Sequence, residues 1–167
     1  MADWTCELLS DRHHRDRFDC GVLALNRYLV QQAGQDIRRK AAMVYVMRPR
    51  QSAASVCAYF TLCAASVEFS RVPIGVSKRL ARYPLIPAIL IGRLGVYIKS
   101  QGRGLGALTL YAALNRCRFV SEEIGASLVV VDAKDARARS FYERFGFNAI
   151  ENEPLRLILP IKSIPGD

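Results

Sequence analysis

The stretch Ile91-Gly-Arg-Leu-Gly-Val-Tyr-Ile-Lys-Ser-Gln-Gly-Arg-Gly-Leu-Gly-Ala107 decides the fold of this chain. Its first part, 91–98, belongs to an almost uninterrupted apolar run over 88–98. Such a run is typical of a central strand covered on both faces. It then enters a helix through three alternating glycines, Gly102, Gly104 and Gly106. Without side chains there, the free N–H groups and the positive dipole end of the helix stay uncovered. A phosphate can therefore approach this backbone closely.

Several explanations of the glycine turn are open from the residues alone. A tight turn without a ligand needs the same glycines. A P-loop is excluded because no Lys-Ser/Thr follows them. A dinucleotide-binding turn is disfavoured, because Ala107 stands where its third glycine is needed and Asp132 lies further on than the ~20 residues expected for the ribose-binding acid. We predict another pyrophosphate-bearing ligand, with Arg103 as a fixed cation beside it.

The patterns around the turn predict an α+β, or mixed α/β, fold. Asp19 as N-cap and Gly34 as stop bound a predicted first helix, while Asp135 and Gly146 bound a predicted last helix. No linker or repeat divides the chain, so a single domain over 1–167 is expected. Strands are predicted over 4–9, 42–47, 55–69, 88–98, 128–131, 147–150 and 155–161.

Composition limits the class of protein. The 167 residues carry 24 Lys and Arg against 15 Asp and Glu, a formal net charge of +9 that favours a polyanionic partner. A hydrophobic share of 51% excludes disorder as the main state. Five cysteines without a C-x-x-C pair indicate neither a disulfide framework nor a metal site, so a reducing, cytoplasmic location is expected. The uncharged stretch 51–67 falls short of a membrane span, and no membrane association is expected.

Two blocks resemble the GNAT acetyltransferases. Gln101–Gly106, preceded by Gly92–Val96, is similar to the acetyl-CoA signature of that family, and Ala138–Phe147 is similar to the Ala-x-x-Phe-Tyr-x-x-Phe-Gly-Phe block of its last helix. The resemblance implies an α/β/α sandwich around a mixed, mostly antiparallel sheet. It also implies two parallel strands that splay apart to bind pantetheine, here near 92–98 and 128–132.

The likeness narrows to the GNAT-like toxins of bacterial toxin–antitoxin pairs. It rests on Phe18–Gly21, Leu25-Asn26-x-x-Leu29, Gln32–Asp36 and Tyr83–Ala88. Many relatives have Ala-Val-Asp where this chain has Gly95-Val96-Tyr97. The resemblance implies a ribbon-helix-helix antitoxin, operator DNA bound only through that antitoxin, and a homodimer.

The resemblance also implies the roles of the site residues. Tyr142 is the expected general acid that returns a proton to the departing thiolate. Helical spacing predicts Phe141 and Phe145 on the core face and Tyr142 about 100° away from it. Acetyl-CoA is expected to contact Leu94, Val96, Gln101, Gly102, Arg103, Gly104, Leu105, Gly106 and Ala107.

No general base is evident, since His13 and His14 are predicted to be solvated and Glu68 to be an exposed charge at a strand end. An α-amine, with a pKa near 7.7 to 8.0, needs less help to lose its proton than a lysine side chain, whose pKa is near 10.4. Together with the excess of arginine, this favours aminoacyl-tRNA as the acceptor. A protein N-terminus and a small-molecule amine stay open as alternative acceptors. A non-catalytic binding protein stays open as an alternative to an enzyme. Expected RNA contacts are Arg38, Arg39, Lys78, Arg79, Arg82, Arg93, Arg137 and Arg139.

Overall fold

Seven strands form one sheet in a computed structural model that describes residues 4–166. Their order in the sheet is β1-β2-β3-β4-β5-β7-β6. β4 and β5 pair in parallel, and β1 with β2, β2 with β3, β5 with β7 and β6 with β7 pair antiparallel. The predicted mixed, mostly antiparallel sheet is confirmed. The strands are β1 Trp4–Leu8, β2 Met43–Pro49, β3 Ala58–Glu68, β4 Leu85–Val96, β5 Leu128–Asp132, β6 Asn148–Ile150 and β7 Glu153–Pro160.

The helices are α1 Leu23–Arg27, α2 Ala33–Arg38, α3 Ile74–Ser77, α4 Leu105–Glu123 and α5 Ala136–Glu143. A π-helix, Tyr28–Gln32, connects α1 to α2. The prediction for the first helix is wrong at both ends. Asp19 does not cap it, because the residue before α1 is Val22 and the Asp19 carboxylate accepts from the Gly21 N–H and from the Asn26 side chain. Gly34 lies inside α2 and does not end it.

The chain divides into two compact units, and the first comprises 4–63 and 92–113. Its core is built from side chains of the first helices and of β2 and β3, among which Leu29, Val44, Val46 and Tyr59 are fully buried. Removing each such side chain from water stabilises the fold by roughly 1.5–3 kcal/mol. This unit carries the end of β4, the glycine turn and the start of α4.

The second unit comprises 64–91 and 114–166. Its parallel pairing joins Ala88–Ile91 to Leu128–Val131 in register. All four residues of Leu128–Val131 are fully buried, as expected for a strand covered on both faces. Asp135 caps α5 as predicted, since its side chain accepts from the Ala138 N–H at 2.8 Å. Gly146 ends the segment after α5 with a φ of 92°.

β4 ends at Val96, two residues before the predicted end of this strand. The Ile98 N–H donates to the Asp19 carbonyl at 2.7 Å, and Ile98–Ser100 forms a 3₁₀ turn. Among the described residues, no helix is long and apolar enough to cross a membrane. Over the same part of the chain, no group of His, Cys, Asp and Glu side chains has the arrangement of a metal site.

Candidate active site

The glycine turn presents a row of backbone donors at the start of α4. Gly102 and Gly104 have φ angles of +76° and +79°, a left-handed conformation that side chains other than glycine rarely adopt. The Leu108 N–H donates to the Gly104 carbonyl at 3.1 Å, which makes Gly104 the residue that opens the helix. Within residues 4–166, no turn or cap hydrogen bond has an N–H of 102–107 as its donor. These groups and the helix dipole therefore point at whatever binds here.

The space around the glycine turn is open, which leaves its backbone donors accessible to an anion. A Cβ built on Gly102 or Gly104 would meet no heavy atom within 4 Å, and one on Gly106 would meet only Val96 Cγ2, at 3.8 Å. Arg103 is exposed between the glycines, where its cation can approach the same anion. Leu105, by contrast, is buried in the core and can contribute only its backbone to a ligand.

Gln101 fixes the turn to the rest of its unit. Its side-chain Nε2 donates to the Val96 carbonyl at 2.8 Å and to the Cys20 carbonyl at 3.0 Å. Both hydrogens of this amide are used in holding the loop. Gln101, predicted to contact the cofactor, thus has a clear structural role as the anchor of the donor row.

The loop that receives Gln101 is itself tied by hydrogen bonds. The Asp19 carboxylate accepts from the Gly21 N–H at 2.8 Å and from Asn26 Nδ2 at 2.9 Å, and these bonds lower the pKa of Asp19. Asn26 Oδ1 accepts from the Cys20 N–H at 2.8 Å. An aspartate two residues before a glycine is a local turn signal. Sequence reasoning used Asp19 instead as a helix cap and missed this role.

The end of β4 has two different sides. Val96 packs in a cluster with Leu105 and is half-buried, as is Leu94. Gly95 faces the other way, where an added Cβ would lie 3.4 Å from Cys20 Sγ and from Tyr59 Cε1. An alanine Cβ at this position would be in ordinary van der Waals contact with these neighbours, so packing does not explain the departure from the Ala-Val-Asp pattern.

Tyr142 lies on the buried side of α5. The prediction that Phe141 and Phe145 face the core while Tyr142 turns away is wrong: Tyr142 is buried and the two phenylalanines are only half-buried. The helix packs this side against Phe147, whose ring centroid lies 5.6 Å from that of Tyr142. Burial raises the pKa of Tyr142 to about 12, so its hydroxyl keeps its proton at neutral pH. No hydrogen bond within 4–166 engages that hydroxyl.

His13 is not solvated as predicted, and its side chain is fully buried. Nδ1 accepts from the Ser10 N–H at 3.0 Å, which leaves the proton on Nε2 to be donated to Glu7 Oε1 at 2.8 Å. Both ring nitrogens are therefore occupied, and His13 is unsuited to act as a base. Glu68 is the exposed strand-end charge that was expected, and it pairs with Arg71 at 3.5 Å.

The predicted RNA-contacting cations differ in their surroundings. Arg139 is half-buried and pairs with Glu143 at 2.9 Å, while Arg93 is half-buried with its guanidinium 3.6 Å from the ring centroid of Tyr28. Sequence reasoning missed Tyr28 as a partner of Arg93. The other six are exposed: Arg38 and Arg39 at the end of α2, Lys78, Arg79 and Arg82 after α3, and Arg137 at the start of α5.

Comparison with known proteins gives a consistent result. Residues 74–156 match the model of the family described as Acetyltransferase (GNAT) domain. A tRNA-acetylating toxin of Mycobacterium tuberculosis (strain ATCC 25618 / H37Rv) is 37% identical over 107 residues, 64% of this chain and 63% of that protein.

Two solved structures extend the likeness to nearly the whole chain. AtaT complexed with acetyl-methionyl-tRNAfMet has a TM-score of 0.88 and 32% identity, covering 97% of each chain. A mutant of AtaT bound to the C-terminus of the antitoxin AtaR and acetyl-CoA has a TM-score of 0.80 and 28% identity, covering 97% of this chain and 96% of that one. The chain belongs to the GNAT acetyltransferase family.

Proposed function

We propose that this protein is a toxin that transfers an acetyl group from acetyl-CoA to the free α-amine of aminoacyl-tRNA and so blocks translation. The observation that carries the proposal is the similarity over 97% of both chains to AtaT, which was solved with acetyl-methionyl-tRNAfMet. The matching toxin of Mycobacterium tuberculosis is named for the same reaction.

The donor row of the glycine turn supports binding of the cofactor. The N–H groups of 102–107 and the cation of Arg103 are suited to a pyrophosphate, because anions are stabilised at the positive end of a helix. Acetyl-CoA supplies an activated acetyl thioester when bound. We assign the Val96 N–H to the developing oxyanion, since a backbone donor fixed on a strand needs no reorganisation as charge develops. Leu94 and Ala107 complete the backbone contacts.

Tyr142 is the proposed proton donor. Its raised pKa means that the hydroxyl is fully protonated at neutral pH. The attacking amine loses a proton as the amide forms, and the departing thiolate gains one. One phenol can do both: it gives its proton to the thiolate and recovers one from the amine, so no separate acid is needed.

An acceptor that is already partly deprotonated suits this chain. Both ring nitrogens of His13 are occupied, and Glu68 is exposed and paired with Arg71, so neither is suited to be a strong base. An α-amine has a pKa near 7.7 to 8.0, and an ester linkage lowers it further. The aminoacyl group of charged tRNA meets this requirement, and a net charge of +9 suits its polyanionic carrier.

The proposal extends to partners and location. AtaT was solved with the C-terminus of its antitoxin AtaR, and we infer a cognate antitoxin for this chain as well. We propose that it is of the ribbon-helix-helix type, that operator DNA is bound only through it, and that the toxin is a homodimer. Because charged tRNA is cytoplasmic, we place the enzyme there.

The proposal is tested with labelled acetyl-CoA and bulk charged tRNA, followed by release of the amino acids and mass spectrometry. We expect N-acetyl amino acids from charged tRNA and none from deacylated tRNA. Tyr142→Phe should lower kcat by about 10²- to 10⁴-fold with an unchanged Kd for acetyl-CoA. Tyr111→Phe, which removes the hydroxyl of an exposed tyrosine on α4, is the matched control and should retain full activity.

Peptides with a free N-terminus and polyamines are the comparison acceptors. If they are acetylated while charged tRNA is not, the acceptor is a protein N-terminus or a small-molecule amine and the toxin assignment is wrong.

A further inference from the structure

Arg93 stacks on a hydrogen-bonded group of side chains that has no role in the acetyl transfer proposed above. Its guanidinium lies 3.6 Å from the ring centroid of Tyr28. The Tyr28 hydroxyl donates to Asp36 Oδ2 at 2.7 Å, and Gln32 Nε2 donates to Asp36 Oδ1 at 3.1 Å. We call Tyr28, Gln32 and Asp36 the Tyr28 platform.

The π-helix explains how the platform is assembled. Residues eight apart in an uninterrupted α-helix are about 80° out of line, because each residue turns the helix by about 100°. The wider turn of the π-helical segment Tyr28–Gln32, about 4.4 residues, removes roughly that angle. Tyr28 and Asp36 therefore come into line and form a hydrogen bond. π-helical segments often occur at functional sites.

The platform holds the aromatic ring in a state that favours a cation. Asp36 has a lowered pKa because of the hydrogen bonds from Tyr28 and Gln32, so it is charged at neutral pH. A hydroxyl that donates to a carboxylate makes its ring more electron-rich, which strengthens the attraction for a guanidinium. Burial and the Asp36 carboxylate both raise the pKa of Tyr28, so the donated proton stays on the phenol.

Arg93 itself keeps its hydrogen-bonding edge available. Its face stacks on Tyr28, yet within residues 4–166 it forms neither a hydrogen bond nor an ion pair under 4 Å. Asp36, the one carboxylate of the platform, is hydrogen-bonded by Tyr28 and Gln32, and the charge of Arg93 acts on it only from beyond ion-pair distance, where it also lowers the pKa of Asp36. Asp36 compensates the charge of this half-buried cation from a distance, but within residues 4–166 no acceptor occupies the edge of its guanidinium. The planar fork of an arginine matches two oxygens of a phosphate.

We propose that the Tyr28 platform positions Arg93 to bind the backbone phosphate next to the aminoacylated nucleotide of the acceptor. The inference rests on the proposed function. Arg93 precedes Val96 by three strand residues, or roughly 10 Å along β4. That is about the distance spanned by the roughly eight covalent bonds that lead from an α-amine through its ester and ribose to the 5′ phosphorus. Tyr28 and Asp36 are positioning residues in this arrangement.

Two small acceptors test the proposal. One is an aminoacyl adenosine joined through a stable amide, which carries the α-amine without phosphate. The other is the same molecule with a cytidine attached through a 5′ phosphodiester. We expect the unaltered enzyme to prefer the second by about 10- to 100-fold in kcat/KM, the range for a charged hydrogen-bonded pair.

Conservative variants of the platform identify its role. Arg93→Lys keeps the charge but loses the planar fork, and it should abolish most of this preference with an unchanged KM for acetyl-CoA. Tyr28→Phe and Asp36→Asn should lower the preference in part. Arg50→Lys, at an exposed arginine after β2, is the matched control and should leave it unchanged. A purely structural role would lower the rates of both acceptors equally and leave their ratio intact.

The outcomes separate this inference from the proposed function. If charged tRNA is acetylated but the ratio is the same in Arg93→Lys and the unaltered enzyme, the inference is wrong and the proposed function stands. If both small acceptors are poor substrates, the salt dependence of KM for aminoacyl-tRNA decides: its logarithmic slope should shrink by about 0.7–0.9 in Arg93→Ala. An unchanged slope overturns the inference. If no acceptor of any kind is acetylated, both proposals fail.

Discussion

Glu7 illustrates how one residue of β1 is held by several hydrogen-bond donors. Its Oε1 accepts from Arg48 Nε at 2.7 Å and from His13 Nε2 at 2.8 Å, and its Oε2 accepts from Arg48 Nη2 at 3.1 Å. Arg12 also pairs with it. The bond from Arg48 is the largest cause that lowers the pKa of Glu7, from 4.5 to about 2. A local pattern cannot foresee this arrangement, because Arg48 lies 41 residues away.

The lowered pKa predicts a specific acid sensitivity. Because the folded-state pKa lies below the unfolded value, the Glu7 carboxylate stabilises the fold above pH 4.5, and this contribution is lost as the pH falls toward about 2. The expected loss is roughly 1–2 kcal/mol in the free energy of unfolding, because solvent screens these ion pairs near the surface. Denaturant unfolding at several pH values should show a shallower decline in Glu7→Gln. Glu123→Gln, at an exposed position, is the control, and an equally shallow decline there would contradict the assignment.

At the scale of elements, local signals succeeded where the residue makes the one contact that the signal predicts. Asp135 caps α5 and Gly146 ends the segment after it, as the sequence predicts. The same reasoning failed for the first helix because its residues make other local contacts. The Asp19 carboxylate binds Gly21 and Asn26 instead of a helix N-terminus. Gly34 allows a close approach, since an added Cβ would lie 3.3 Å from Arg38 Nη1.

The glycine turn yields a prediction at this scale. Gly104→Ala should destabilise the protein by about 1–2 kcal/mol, because a residue with a Cβ is strained at a φ of +79°. Its KM for acetyl-CoA should also rise several-fold as the donor row is displaced. Gly125→Ala lies just after α4, without a positive φ and with open space around it, and should change neither quantity. Equal effects at both glycines in thermal unfolding and kinetics would contradict the role of the turn.

Across the whole molecule, the family blocks predicted the sheet and the location of the donor row, but not the surroundings of the side chains. The pairing of Tyr28 with Arg93 depends on a π-helix, which leaves no period in the sequence. The burial of Tyr142 depends on packing against Phe147, beyond the end of its own helix. Such contacts come from the tertiary fold and are invisible to periodicity.

The net charge of +9 is also a property of the whole molecule, and it predicts how substrate binding responds to salt. Each phosphate neutralised by a cation releases counterions, so the logarithm of the binding constant for aminoacyl-tRNA should fall linearly with the logarithm of salt concentration. Replacing Arg79 or Arg82, both exposed, with alanine should reduce that slope by about 0.7–0.9 per residue. Arg50→Ala is the control and should keep the slope of the unaltered protein. Filter binding at four or more salt concentrations measures it, and a flat dependence would show that the positive charge serves another purpose.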